Sequence, residues 1–243
     1  MPDSFSPGLL VAAHGHGPAA HMAREWAARG RPVALVTDGP VKRTPNLVPI
    51  ECDFRDAAAV GSAFNEARQH LGAVHEVVFS ALPGPALRCI DLVQLPPADW
   101  ASASHAAVKS VLYGLQAAAR HLANPLSFTL VGPHLSLTGA AGMAPLCAAL
   151  EAQRALAKAA ARQWGHRGIR VNWVAISAPE FHAAFSEWPL PQVPELGPPS
   201  PALGRRIDID SDVLPVIEFL GSPAAKAMTG LTINLDGGDW MLP

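Results

Sequence analysis

Two histidines one residue apart, His14 and His16, follow the first apolar run of this 243-residue chain. A His-x-His pair at a strand end can open a metal site, because two imidazoles then reach one ion. Such a site needs further ligands from other strand ends. His134 is the one obvious candidate at the same sheet edge, and no metal site is expected. The same turn carries Gly15 and Gly17, and glycines there let the backbone approach a phosphate at a helix N-terminus. Pro18 suits the first helical position but offers no N–H to a phosphate. A plain strand-to-helix turn and weak nucleotide binding both fit this pattern. Asp38 closes the second apolar run, where an acidic residue would hold an adenosine ribose and favour NAD over NADP. Lys42 and Arg43 argue the opposite, and three solvated turn residues would account for them equally. His134 titrates near neutrality and could act as an acid alone. A loop histidine without a catalytic task is the plainer reading.

Short β-like runs alternate with helical stretches, a pattern that predicts a parallel sheet with crossover helices. Strands are expected over Gly8 to His14, Pro32 to Thr37, Asn46 to Cys52, Val74 to Ser80, Leu126 to Val131, Ile169 to Ser177 and Leu231 to Leu235. Helices are expected over Pro18 to Arg29, Asp56 to Leu71, Ala98 to Leu122, Gly142 to Trp164 and Asp210 to Leu220, with Gly30 closing the first. On the alanine-rich helix, Glu151, Arg154, Lys158 and Arg162 recur at helical spacing and read as one solvated stripe. Asp38 to Pro45 is too short and proline-rich for a crossover helix. The stretch 178–204 carries seven prolines, and a loop that long is usually a binding loop or lid, or else disordered. No repeat or linker is visible, so one domain over 1–243 is expected.

Composition bounds the rest. Half of the chain, 49%, is hydrophobic, enough for a sizeable core. The net charge of −2 comes without a basic stripe, so neither nucleic acid nor an anionic membrane is an expected partner. No apolar run approaches the ~18 residues of a membrane span, and the start lacks the features of a signal peptide. Cys52, Cys89 and Cys147 are scattered and odd in number, which makes the cytoplasm the default compartment.

Three motifs carry a family resemblance: CDFRD at Cys52 to Asp56, GIRVNWV at Gly168 to Val174, and FLGSPAAKAMTGLTINLDGG at Phe219 to Gly238. In residue types and spacing they resemble the third-strand, sixth-strand and closing motifs of short-chain dehydrogenases/reductases. The resemblance runs over nearly the whole chain. It implies a Rossmann-type, doubly wound α/β fold with seven parallel strands in the order 3-2-1-4-5-6-7 and helices on both faces. It also implies that Asp53 lies near an adenine. The family's TG-x-x-x-G-x-G turn falls on Ala12 to Ala19, where Gly17 alone keeps a motif glycine; Gly15 is an extra one, and Ala13 and Ala19 replace the others. Asn-Asn-Ala-Gly becomes Phe79-Ser80-Ala81-Leu82. The family's proton-transfer tyrosine and its lysine fall on Leu146 and Leu150, its serine on Pro133 and its asparagine near Ala107. The sole tyrosine, Tyr113, has Ala117 where a Tyr-x-x-x-Lys pair would need lysine.

The resemblance therefore implies a scaffold without its chemistry. The expected function is a non-catalytic subunit or scaffold that pairs with an active dehydrogenase homologue, for example one acting on hydroxyacyl thioesters. Assembly is expected through the two long helices, as a homo- or hetero-oligomer. An oxidoreductase with an atypical proton donor and a small-molecule-binding module are the alternatives. No residue is assigned a catalytic role. The candidate cofactor contacts are Gly15, Gly17, Asp38 and Asp53. Cofactor is expected to bind weakly or not at all, with NAD(H) ahead of NADP(H).

Overall fold

A strand covered by helices on both faces must be apolar throughout, and GLLVAA in β1 (Gly8–Ala13) is buried at all six positions. The computed structural model describes residues 8–14, 17–182, 185 and 201–241. β1 pairs in parallel with β2 (Val33–Thr37) on one side and β4 (Val74–Ser80) on the other, Val11 lying opposite Leu35 and Val78. With β3 (Leu47–Glu51), β5 (Leu126–Pro133), β6 (Ile169–Ile176) and β7 (Thr232–Leu235), the described strands form one sheet in the order β3-β2-β1-β4-β5-β6-β7. The order reverses between β1 and β4, which opens a crevice at their carboxyl ends.

α2 (Ala57–Leu71), α4 (Ala106–His121) and α6 (Ala144–Trp164) pack side by side on one face. α1 (Pro18–Ala28) and α8 (Leu214–Gly221) lie on the other, joined through a π-helical turn at Ile209–Val213. Gly30 follows α1 with φ +88, the left-handed conformation expected of it.

The residues that carry the family motifs hold the sheet edge together. Asn172, fully buried, accepts from the Leu231 N–H and donates to the Met228 carbonyl, while Thr229 Oγ1 accepts from the Val171 N–H. The Asp236 carboxylate takes the Gly238 and Trp240 N–H groups and so shapes the turn after β7.

Several expectations shift. The stretch 98–122 is not one regular helix. α3 (Pro97–Trp100) passes through a π-helical turn at Ala101–His105 before α4 begins. There Ser102 and Ser104 donate their hydroxyls to the carbonyls of Asp99 and Trp100, competing with the helix ladder. Gly142 has φ +75, so α6 starts at Ala144 rather than at the glycine. Arg154 leaves the expected solvated stripe. Its side chain, 15% exposed, donates to Thr232 and Glu151 and sits 5.7 Å over the Trp173 ring, tying α6 to β7. The connection from β2 to β3 carries no helix, as its prolines required. Of the stretch 178–204, α7 (Ala178–Phe181) is a single helical turn, and most of its prolines lie outside the described residues.

Candidate cofactor cleft

Four strand ends converge at the crevice. His14 follows β1, Asp38 follows β2, the run Cys52 to Phe54 follows β3, and Ala81 to Gly84 follow β4. Their side chains interlock. His14 Nδ1 hydrogen-bonds the Asp38 carboxylate. The same imidazole stands edge-on to Phe54 at 5.5 Å, Phe54 meets Phe79 at 5.9 Å, and Phe79 stacks on Phe128 at 5.8 Å. Phe79 occupies the position of a family asparagine. Gly114 makes the room, since a Cβ there would fall 2.3 Å from the Phe79 ring.

Two cavities flank this row. One of about 510 Å³ is walled by His14, Asp38, Asp53, Phe54, Arg55 and Ser110, among others. The second, of about 310 Å³, is walled by His14, Asp38, Gly17, Ser80, Leu82 and Phe181, among others. Leu82 fills the place where the family pattern has a glycine.

The candidate residues fall around these cavities, with one outside view: Gly15 lies outside the described residues. Gly17 caps α1, but its N–H already donates to the His14 carbonyl at 3.0 Å, and Pro18 beside it has none. Asp38 ends β2 as expected, with its carboxylate taken by His14. Asp53 points its two carboxylate oxygens at the Arg55 guanidinium, each at 2.9 Å, and this hydrogen bonding holds its carboxyl down at about 2. His14 and Asp38 as a pair were missed by sequence reasoning, which weighed His14 against His16 instead. His16 is outside the described residues, and among those described no group of three His, Cys, Asp or Glu side chains is placed to hold a metal.

The positions on which the resemblance places proton-transfer residues are packed shut. Leu146, Leu150 and Ala107 are each 0% exposed, and Pro133 is buried at the end of β5. Leu150 packs against Gly132, whose missing Cβ would also collide with Trp173. Buried Gln153 donates to the Ala107 carbonyl at 2.9 Å. His134 is buried and lies 3.8 Å from Asp239; burial lowers its pKa against the opposing pull of Asp236 and Asp239. It walls neither cavity. Burial, helped by Asp53, Asp56 and Asp38, pushes the Cys52 thiol up to about 12, so it stays protonated and unreactive near neutrality. Alkylation of the native protein at neutral pH, read by peptide mass spectrometry, is therefore expected to modify exposed Cys89 and spare Cys52.

Among the described residues no helix is long and apolar enough to cross a membrane. A short-chain dehydrogenase family model described as enoyl-(acyl carrier protein) reductase matches residues 12–239. The chain is similar to 12alpha-hydroxysteroid dehydrogenase of Clostridium sp., at 34% identity over 102 residues. That match covers 42% of this chain and 39% of the relative, so it spans about two fifths of that protein. It is also similar to the 3-oxoacyl-[acyl-carrier-protein] reductase MabA of Mycobacterium avium, 24% identical over 239 residues, covering 98% and 91% of the two chains. In structure it resembles a short-chain dehydrogenase/reductase from Serratia marcescens, with a TM-score of 0.79, 23% identity, and coverage of 96% and 98%. That structural likeness carries the fold. The family match runs from the end of β1 to the turn after β7, taking in the Asn172 and Asp236 contacts and the crevice between β1 and β4: the chain belongs to the short-chain dehydrogenase/reductase family.

Proposed function

We propose that this chain is a non-catalytic member of its family, a cytoplasmic subunit or scaffold that pairs with an active dehydrogenase homologue. One acting on hydroxyacyl thioesters is a candidate partner. The observation that carries this reading is the pair Leu146 and Leu150, two apolar side chains at 0% exposure where proton transfer would need a tyrosine and a lysine. Neither can accept or donate a proton, and among the described residues no second acid is seen to stand in for them. His14 is engaged by Asp38, and His134 walls neither cavity.

The cleft is also a poor fit for a dinucleotide. Leu82 lines it, Gly17 and Pro18 offer no free amide, and one Asp38 oxygen is already bonded. Each missing contact costs on the order of 1 kcal/mol or more. Whatever nucleotide affinity remains should favour NAD(H), since a carboxylate at the end of β2 repels a 2′-phosphate.

Assembly through α4 and α6 is supported by an alanine stripe on α6. Ala148, Ala152, Ala155 and Ala159 recur at helical spacing, are exposed or half-buried, and let a second helix approach closely. The test is purification of the chain alone, a dehydrogenase assay on alcohols, ketones and acyl thioesters, and calorimetric titration with NAD(H) and NADP(H). No turnover and no low-micromolar binding are expected. Turnover by the isolated chain, or a low-micromolar Kd, would overturn the reading.

A further inference from the structure

We propose that His14 is a built-in occupant of the nucleotide site. The chain excludes nucleotide with its own imidazole, and the groove beneath remains suited to an adenosine phosphate. This rests on the reading above that dinucleotide binds weakly, and it assigns a separable part of that weakness to one side chain.

Place comes first. His14 stands at the switch point between β1 and β4, where nucleotides bind in open α/β sheets. The carboxylate at the end of β2 is the group that would receive ribose hydroxyls there, and His14 Nδ1 bonds one of its two oxygens. His14 and Asp38 are walls of both the 510 Å³ and the 310 Å³ cavity. They stand between two spaces that a dinucleotide would have to bridge as one trough.

Anchorage comes second. The ring is not a free surface side chain. Only 26% of it is exposed, its edge meets Phe54, and the row of rings continues through Phe79 to Phe128 in the core. Its Nε2 is buried without a hydrogen-bond partner among the described residues. The Asp38 bond and the aromatic contact therefore hold the imidazole in place, and a ring nitrogen is left unsatisfied to keep it there.

The groove itself survives. The larger cavity lies within the ordinary range for small-ligand sites of ~300–1,000 Å³. It keeps an aromatic ring at Phe54, a hydroxyl at Ser110 and the Asp38 carboxylate. Removing the imidazole would join the two spaces and release Asp38 to a ribose.

The experiment is calorimetric titration of the wild type and His14→Ala with AMP, ADP-ribose and adenosine 2′,5′-bisphosphate. His14→Ala is expected to bind AMP and ADP-ribose about ten-fold or more tightly than the wild type, the worth of one recovered hydrogen bond to a charged group. It should gain nothing for the 2′-phosphorylated probe, which Asp38 repels. Adding Asp38→Asn should erase most of the gain. His14→Ser carries the same test should the alanine variant fail to fold by circular dichroism. A folded variant that binds AMP no better than a weakly binding wild type would overturn the proposal and leave the non-catalytic reading standing. A wild type that binds NAD(H) at low micromolar Kd would instead remove the reading on which it rests.

Discussion

Restoring the missing pair with Leu146→Tyr and Leu150→Lys is expected to yield no dehydrogenase activity and a markedly less stable protein. Both positions are completely buried, so the new groups enter a packed core rather than a cleft. Tyrosine at 146 adds volume where none is free, at about 1–3 kcal/mol. Lysine at 150 enters a fully buried site packed against Gly132. Burial drives a lysine from ~10.4 to below 7, and that shift of about 3.4 units costs roughly 4–5 kcal/mol at neutral pH. The sign follows from the protons. The folded variant holds fewer than the unfolded chain between its lowered pKa and ~10.4, so its stability rises with pH across that window. Urea unfolding of Leu150→Lys at about pH 7 and pH 10, each referenced to Leu150→Met, should show the deficit shrinking at the higher pH. Losses of this size are a large share of the ~5–15 kcal/mol that holds a domain together. A stable double variant with nicotinamide-dependent turnover would show instead that a working site lies one substitution pair away.

The structure explains why the scaffold was legible and the cleft was not. Strand positions follow from local composition, and β1, β2 and β4 fall within a residue or two of where their apolar runs place them. The family motifs are legible as patterns of residue type: Asp236 bonds within its own turn, while Thr229 and Asn172 bond across 58 and 59 residues of chain within one sheet edge. The break in the stretch 98–122 depends on two serine hydroxyls choosing backbone carbonyls, a choice that helical spacing does not record. Arg154 looks like its charged neighbours in sequence, yet Trp173 and Thr232 reach it from other strands. His14 is the clearest case. Short-range spacing offers it His16 as a companion, whereas folding brings Asp38 from 24 residues away and Phe54 from the next strand. What the resemblance preserved is structural, and what the chain changed lies in contacts between distant strand ends.

Replacing Ala155 with arginine is expected to disperse the proposed assembly while leaving the fold intact. Ala155 is exposed in the middle of α6, within the stripe of Ala148, Ala152 and Ala159. The buried face of the helix, with Leu146, Leu150 and Ala157, points into the core and is untouched. The monomer should therefore keep its circular dichroism and melting temperature. Helices packed across small residues approach to ~8–10 Å, which leaves no space for a guanidinium. In a symmetric pair the substitution also appears twice, on facing surfaces. Two unpartnered arginines closed into such an interface cost several kcal/mol, so the dissociation constant should weaken by more than about a hundred-fold. Size-exclusion chromatography with light scattering reads the outcome, for the chain alone and co-expressed with an active homologue. Lys226→Glu, exposed on a different part of the molecule, is the control and should assemble as the wild type does. An Ala155→Arg protein that assembles normally would place the contact elsewhere, and a wild type that stays monomeric in both settings would remove the subunit reading itself.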